Sequence, residues 1–160
     1  MTGPVSWGAE LQAGSIAKRR AAAAALGKSG NPAAIPALAA ALNDSHPTVR
    51  CEVVSALGRL SDASAVPYLI HALDDTEPAV RAAALAALGK IRDPSSVPAI
   101  IRLKNDRELE VRIGTAVILG KLGDRRAIEP LKELVRDPFS EVREAAEAAL
   151  LRFKEYRRGN

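Results

Sequence analysis

The chain has 160 residues, of which 48% are hydrophobic and only 3% aromatic, and its formal net charge is +4. Its single cysteine excludes an internal disulfide and favours a reducing compartment, while no apolar run reaches the ~18 residues that span a membrane. The first residues lack the basic and apolar segments of a signal peptide, so we expect a soluble, cytoplasmic protein without a membrane partner.

One pattern returns every 31 residues and organises the whole chain. Its clearest members are a leucine series and an arginine series: Leu26, Leu57, Leu88, Leu119 and Leu150, and Arg19, Arg50, Arg81, Arg112 and Arg143. In each copy, apolar residues spaced by three and four predict two successive helices, with a polar N-cap before the first. The N-cap residues are Asn31, Asp62, Asp93 and Asp124.

In chain order, we predict a degenerate N-terminal capping repeat over 4–30, repeats over 31–61, 62–92 and 93–123, and a C-terminal capping repeat over 124–160. Ala13 stands where later repeats have aspartate, and Leu151 stands where earlier ones have glycine, so the last helix can run on through Phe153 and Tyr156. A single hairpin cannot cover its own apolar face, but stacked hairpins can. The expected fold is one all-α domain, a right-handed α-solenoid of about five two-helix repeats.

Proline and glycine mark two local departures from regular helix. Proline about one turn into the first helix, at Pro36, Pro67 and Pro98, predicts an irregular opening turn. Glycine recurs near the end of the second helix, at Gly27, Gly58, Gly89 and Gly120. Because glycine inside a helix costs up to about 1 kcal/mol relative to alanine, we predict that a neighbouring helix passes too close for a Cβ atom.

The first of these glycines belongs to Gly27-Lys28-Ser29, which looks like the end of a phosphate-binding loop. Such a loop has an earlier glycine at a position that Ala22 occupies here, and it follows a strand, whereas this segment follows a run of alanines. The motif is one copy of the repeat, and a nucleotide site is excluded.

Each predicted turn between the two helices carries an aspartate, six residues before the arginine that repeats every 31 residues. These charges could form a binding surface, but their regular recurrence favours a structural ladder in which each aspartate bridges the arginines of its own and the adjacent repeat. The predicted ladder comprises Asp44, Arg50, Asp75, Arg81, Asp106, Arg112, Asp137 and Arg143.

The second helices carry the candidate binding surface. A basic series near their ends, formed by Lys28, Arg59, Lys90, Lys121 and Arg152, either stabilises the helix C-termini or forms a ridge along a groove. Beside it, small or apolar residues such as Ile113 and Val117 either pack on adjacent helices or form an exposed apolar strip. The candidate partner-binding groove comprises Arg20, Cys51, Ser55, Arg59, Ala82, Ala86, Lys90, Ile113, Val117, Lys121, Glu144 and Arg152.

No catalytic, cofactor-binding or metal site is expected. His46 and His71 are scattered, and with one cysteine they cannot supply a zinc site without several carboxylates. The sequence shows no recognisable catalytic set of a serine, a histidine and an acidic residue. A lone cysteine such as Cys51 is more often a small packing residue than a nucleophile.

The pattern V-R-x-x-A-x-x-A-L-G followed by D-x-x-x-V-P resembles the short HEAT-like repeats named after phycobilisome lyases. The cleanest copy runs from Val80 and Arg81 through Gly89 to Asp93 and Pro98. The resemblance covers nearly the whole chain and implies a solenoid whose second helices line the concave face. It also implies a family that includes bilin lyase subunits and scaffolds.

The leading hypothesis is therefore a noncatalytic protein–protein interaction scaffold that binds a partner through the groove lined by the second helices. The mild excess of base permits an acidic partner, and self-association by stacked ends or paired grooves is a further arrangement. The resemblance alone implies an alternative, an accessory subunit of a bilin lyase or a pigment–protein assembly factor, in which Cys51 could attach a bilin. A weak nucleic-acid binder is the third hypothesis, disfavoured because the chain lacks aromatic platforms and a large charge excess.

Overall fold

Helices form where the periodic pattern predicts them. The computed structural model describes residues 4–158, with side chains described from Trp7 to Phe153, and all the regular structure in this range is helical. The described residues fall into two compact units that divide between Ile91 and Arg92. The predicted organisation as a single domain over 1–160, with its repeat boundaries, stays a prediction.

The first unit contains three helical hairpins. Their helices are, in chain order, α1 (Pro4–Ala13), α2 (Ile16–Lys28), α3 (Ile35–Ala40), α4 (Pro47–Leu60), α5 (Val66–Ala72) and α6 (Pro78–Ile91). The second helix of each pair packs against the second helix of the next, so that α2 contacts α4 and α4 contacts α6. This arrangement leaves the other side of α2, α4 and α6 as a surface built from successive repeats.

The second unit contains two hairpins. Their helices are α7 (Val97–Arg102), α8 (Leu109–Leu122), α9 (Ile128–Leu134) and α10 (Ser140–Arg158). Here α8 packs against α10 in the same way. The backbone of α10 continues through Phe153 and Tyr156, as predicted, while the side chain of Tyr156 and the last residues of the charged tail lie outside the described part of the chain.

The predicted irregular opening turns are confirmed as short 3-10 helices. They lie at Pro32–Ala34, Ala63–Ala65, Pro94–Ser96 and Arg125–Ala127. The predicted N-cap residues hold these turns, because the side chains of Asn31, Asp62, Asp93 and Asp124 each accept the amide N–H two residues ahead. The caps satisfy donors that have no partner inside a first helical turn.

Four of the five leucines in the 31-residue series, Leu26, Leu57, Leu88 and Leu119, are buried, and Leu150 is half-buried. Leu38, Leu57 and Leu88 are fully buried in the first unit, as are Leu119 and Leu131 in the second. Burying one such leucine contributes roughly 1.5–3 kcal/mol, and the periodic apolar residues of each helix therefore supply most of the stabilisation.

The close approach predicted at the recurring glycines is confirmed at Gly27, Gly58 and Gly120. A Cβ atom added to Gly27 would lie 2.7 Å from Ala56 Cα, and one added to Gly120 would lie 2.6 Å from Ala149 Cβ. Alanine opposite glycine therefore lets consecutive second helices pack backbone to backbone. Two other glycines, Gly30 and Gly123, adopt positive φ angles of 65° and 69° where helices end, as glycine caps do.

Candidate functional site

The charge ladder of the first unit lies in the turns between the paired helices. Arg19 donates from Nε and Nη2 to the two carboxylate oxygens of Asp44, at 2.6 and 2.9 Å. Arg50 binds Asp75 in the same way, at 2.7 and 2.8 Å. Each pair joins one repeat to the next with the two parallel bonds that suit a planar guanidinium.

The ladder arginines also bind the turn of their own repeat, through Nη1. Nη1 of Arg50 donates to the main-chain oxygen of Asp44 at 2.9 Å, and Nη1 of Arg81 donates to that of Asp75 at 2.9 Å. The carboxylates of these aspartates also accept main-chain N–H groups two residues ahead, from His46 and Glu77. Each aspartate thus contacts the arginine of the preceding repeat and the arginine of its own.

The second unit repeats this geometry around Arg112. Its Nε and Nη2 donate to the carboxylate of Asp137 at 2.8 and 3.2 Å, and its Nη1 donates to the main-chain oxygen of Asp106 at 2.8 Å. The Phe139 ring lies with its centroid 5.5 Å from Arg112 Cζ, a cation–π distance. The exposed Phe139 had no periodic signal in the sequence, because the equivalent positions hold other residue types.

These ion pairs are largely buried, and they lower the pKa values of the aspartates. The side chains of Arg112 and Asp137 are only 11% and 7% exposed. Hydrogen bonding to Arg19 lowers the pKa of Asp44, and hydrogen bonding to Arg112 lowers the pKa of Asp137. At Asp75, burial raises the pKa but hydrogen bonds to Arg50 and to the backbone outweigh it, so the net shift is downward. The carboxylates stay ionised and hold the turns together.

A cleft of about 320 Å3 opens beside this ladder in the first unit. Asp44, Arg50, His71 and Asp75 contribute to its lining. Arg50 binds the Asp75 carboxylate, and the Asp44 carboxylate is bound by Arg19, so these ladder residues offer an incoming ligand little unpaired charge.

The second-helix surface of the first unit has three rows of residues contributed by α2, α4 and α6. The rows are Arg20, Cys51 and Ala82; Ala24, Ser55 and Ala86; and Lys28, Arg59 and Lys90. The middle row is small, and Ala86 in it is exposed. In the basic row Arg59 pairs with Glu52, while Lys28 and Lys90 are exposed and form no ion pair with another residue of the described range.

The second unit presents the same positions on α8 and α10. They are Ile113, Val117 and Lys121, and Glu144, Ala148 and Arg152. Val117 is 36% exposed and Ile113 is half-buried, so of the two interpretations left open by the sequence, exposure holds for Val117 and partial packing for Ile113. This surface therefore has an apolar centre beside the basic side chains of Lys121 and Arg152.

The side chains that could react with a substrate or bind a metal do not lie close together. Cys51 is half-buried, and burial raises the pKa of its thiol, which disfavours the reactive thiolate. His46 Nδ1 lies 2.8 Å from the hydroxyl of Thr48. Lys104, in the 3-10 turn Leu103–Asn105 that follows α7, forms an ion pair with Glu133. Across the described residues, no three histidine, cysteine or acidic side chains are placed to hold a metal ion.

Within residues 4–158, every helix is too short or too polar to cross a membrane. The sequence contains the pattern of HEAT repeats in two overlapping matches, over residues 6–79 and 66–151. No curated protein matches the chain significantly.

Solved structures show a similar fold. The complex of CpcE and CpcF of phycocyanin lyase from Nostoc sp. PCC7120 is 28% identical with a TM-score of 0.79, and the match covers 97% of this chain but only 66% of that one. A designed armadillo repeat protein in complex with the peptide (KR)4 is 19% identical, with a TM-score of 0.68 and coverages of 92% and 80%. Human deoxyhypusine hydroxylase in complex with glycerol is 18% identical, with a TM-score of 0.61 and coverages of 95% and 96%. The predicted all-helical repeat fold is confirmed.

Proposed function

Because the chain belongs to the HEAT repeat family, we propose that it is a noncatalytic protein–protein interaction scaffold that binds a partner through the second helices of its repeats. The family match confirms the resemblance drawn from the repeated V-R-x-x-A-x-x-A-L-G pattern. The observation that carries the proposal is that different repeat positions have different structural roles. Apolar periodic residues fill the cores and the Arg–Asp series holds the turns, and the exposed row residues Ala86, Lys90 and Val117 belong to neither set.

The first unit supports this proposal through shape and charge. A middle row of small residues allows the backbone of a partner to approach α2, α4 and α6 closely. Lys28 and Lys90 flank this row as exposed cations, so an acidic partner would find complementary charge. The residues expected to contribute here are Arg20, Cys51, Ser55, Arg59, Ala82, Ala86 and Lys90.

The second unit supports it through an exposed apolar side chain. Val117 lies beside Lys121 on α8, and an apolar contact next to a cation is the usual composition of a protein interface. The residues expected to contribute here are Ile113, Val117, Lys121, Glu144 and Arg152. Two structural neighbours are consistent with binding, since one is a complex of two different subunits and another holds a peptide.

The test is partner capture with the full chain, followed by identification of the bound proteins and titration of each purified candidate. Lys121→Glu and Ile113→Asp change the second-helix surface, while Lys132→Glu makes the same charge change on α9, a first helix. We expect each of the first two variants to weaken binding about tenfold, or about 1.4 kcal/mol, and Lys132→Glu to leave it unchanged. Identical affinities for all variants would show that the second helices do not form the interface.

A second candidate function is an accessory role in bilin attachment, favoured by the 28% identity to the phycocyanin lyase complex. The chain spans 66% of the matched lyase chain, so that protein's activity comes to this one only as a proposal. The propionates of a bilin would meet Arg59 or Lys90. Mixing the protein with a bilin should then shift the pigment's absorption spectrum, and Lys90→Glu should reduce the shift. An unchanged spectrum with several bilins would eliminate this function.

A further inference from the structure

The last arginine of the ladder, Arg143 on α10, keeps one half of the ladder geometry. Its Nη1 donates to the main-chain oxygens of Asp137 and Pro138, both at 2.9 Å. The same atom of Arg112 binds its own turn in this way, at 2.8 Å from the oxygen of Asp106. The guanidinium of Arg143 is therefore held in a defined orientation by the turn that precedes α10.

The Nε and Nη2 atoms of Arg143 differ in their partners from those of the other ladder arginines. In Arg112, Nε and Nη2 bind the carboxylate of Asp137, as the same atoms of Arg19 and Arg50 bind the aspartates of following repeats. Among the described side chains, from Trp7 to Phe153, no carboxylate is hydrogen-bonded to Nε or Nη2 of Arg143. Since no buried side-chain nitrogen or oxygen in the described range lacks a partner, this edge of Arg143 is open to solvent.

The same unit shows which ligand such an edge accepts. Asp137, Pro138 and Phe139 form a turn in which the N–H of Phe139 donates to the Asp137 carboxylate at 3.0 Å. The carboxylate binds the Nε and Nη2 edge of Arg112, and the Phe139 ring contacts the same guanidinium. One short segment thus supplies both a bidentate acceptor and an aromatic face.

We propose that the open edge of Arg143 docks an aspartate-led turn of a partner protein, of the type Asp-Pro-aromatic, in the manner that Arg112 binds Asp137 and Phe139. The partner's carboxylate would accept from Nε and Nη2, and its aromatic ring would lie over the guanidinium. Arg143 is not one of the row positions on α10, which are Glu144, Ala148 and Arg152, so the two proposals can fail separately.

Leu151 decides what kind of partner fits. It stands two turns beyond Arg143 on α10, at the repeat position of Gly120, and its side chain is 55% exposed. At Gly120 even a Cβ atom would lie 2.6 Å from the Ala149 Cβ of the following helix. A further repeat stacked in the same register would therefore collide with Leu151. The partner must present its aspartate on a turn that does not bring a helix against Leu151.

The test uses the full chain and the acetylated, amidated peptide Asp-Pro-Phe-Ser-Glu, which has the sequence of residues 137–141. In the 15N-labelled protein, the Nε–H resonance of Arg143 should shift in a saturable way, with a dissociation constant on the order of 1 mM, while that of Arg112 stays in place. Peptides with Asp137→Asn or Phe139→Ala serve as controls. The first should lose the shift and the second should weaken binding.

Arg143→Lys keeps the charge but loses the planar fork, and Arg125→Lys, at an exposed arginine of the same unit, is the matched control. We expect Arg143→Lys to weaken peptide binding about tenfold and Arg125→Lys to have no effect. Should Arg143→Lys fail to fold, the pair of Asp and Asn peptides on the wild-type chain still decides the question. An unmoved Arg143 resonance at about 10 mM peptide, or equal binding of the Asp and Asn peptides, would overturn the proposal.

Discussion

The ladder arginines use two separate edges of one planar group, and this explains why arginine recurs at that position. Arg50 holds the Asp75 carboxylate with Nε and Nη2 and the Asp44 main-chain oxygen with Nη1. A lysine ammonium is a compact point charge without this fork and could not bind both turns in fixed directions. One side chain therefore sets the spacing of two consecutive turns.

The ladder makes stability depend on pH. Because Arg112 lowers the pKa of Asp137 in the folded state, the folded protein binds that proton less readily than the unfolded chain. The stabilisation is present above the ordinary aspartate pKa of about 3.9 and is lost as the pH falls through the lower, folded-state value. Asp137→Asn should cost about 3 kcal/mol at pH 7, because it leaves the nearly buried Arg112 without its counter-charge.

Urea titrations of both proteins over a pH series would measure this difference. We expect the gap between wild type and Asp137→Asn to shrink as the pH falls below about 4, since the unfolded wild-type chain then binds a proton at Asp137 more readily than the folded protein does. Glu110→Gln, an exposed acid of the same unit, should show little gap at any pH. A gap for Asp137→Asn that is constant with pH would refute a charge-based role.

Two glycines only three residues apart should respond differently to alanine. Gly120 lacks room for a Cβ atom, whereas a Cβ atom on Gly123 meets nothing within 4 Å and only the positive φ angle of 69° opposes it. Gly123→Ala should therefore cost about 1 kcal/mol through backbone strain alone. Gly120→Ala should cost about 1–3 kcal/mol through overpacking.

A double-mutant cycle separates the two causes. Ala149→Gly removes the nearest atom that a Cβ on Gly120 would strike but leaves the Ala149 Cα atom at 2.9 Å, so it should recover part of the loss caused by Gly120→Ala. The same substitution should not rescue Gly123→Ala. Additive free energies of unfolding for Gly120→Ala and Ala149→Gly would mean that the two helices are not in backbone contact there.

At the scale of the element, a capped 3-10 turn precedes each of the first helices α3, α5, α7 and α9. Asp62 accepts the main-chain N–H of Ser64 at 2.8 Å and its hydroxyl at 2.6 Å, and these bonds lower the pKa of the Asp62 carboxyl. The cap fixes where the chain leaves one helix and enters the next. Proline residues just inside α3, α5 and α7 favour the same break, because they cannot donate to a preceding turn.

Removing this cap should weaken the first unit modestly. We expect Asp62→Ala to lower the free energy of unfolding by about 1 kcal/mol, because one main-chain donor loses its acceptor. Asp62→Asn keeps a side-chain oxygen at the same place and should lose much less. Thermal or denaturant unfolding followed by circular dichroism would compare the three proteins, and equal losses for alanine and asparagine would contradict a capping role.

At the scale of the molecule, stability comes from many similar leucines placed by one period. Leu88 of α6 is fully buried and represents the central position of a repeat. Leu88→Ala should therefore lower the free energy of unfolding by about 2–5 kcal/mol, the usual cost of truncating a buried leucine. The exposed Leu151→Ala is the control and should lose far less. A small loss for Leu88→Ala in a denaturant titration would show that this position is not in the core.

The sequence by itself determined the features that depend on neighbours along the chain. Helix-forming spacing, the caps at Asn31 and Asp62 and the glycine series all act within a few residues or repeat at a constant interval, so one copy explains the others. The charge ladder could be anticipated for the same reason, although its register, in which Arg19 binds the carboxylate 25 residues ahead, is a fact of three dimensions.

Only the tertiary structure decided which side chains remain available to a partner. Ile113 and Val117 lie one turn apart on α8 with similar apolar side chains, yet Val117 is exposed and Ile113 is half-buried. Arg143 has the sequence context of Arg112, yet its Nε and Nη2 edge carries no carboxylate from the described residues. Exposure and pairing depend on what packs opposite a residue, and that neighbour is remote in the chain. Local periodicity therefore specifies the hairpins, while packing between hairpins specifies the binding surface.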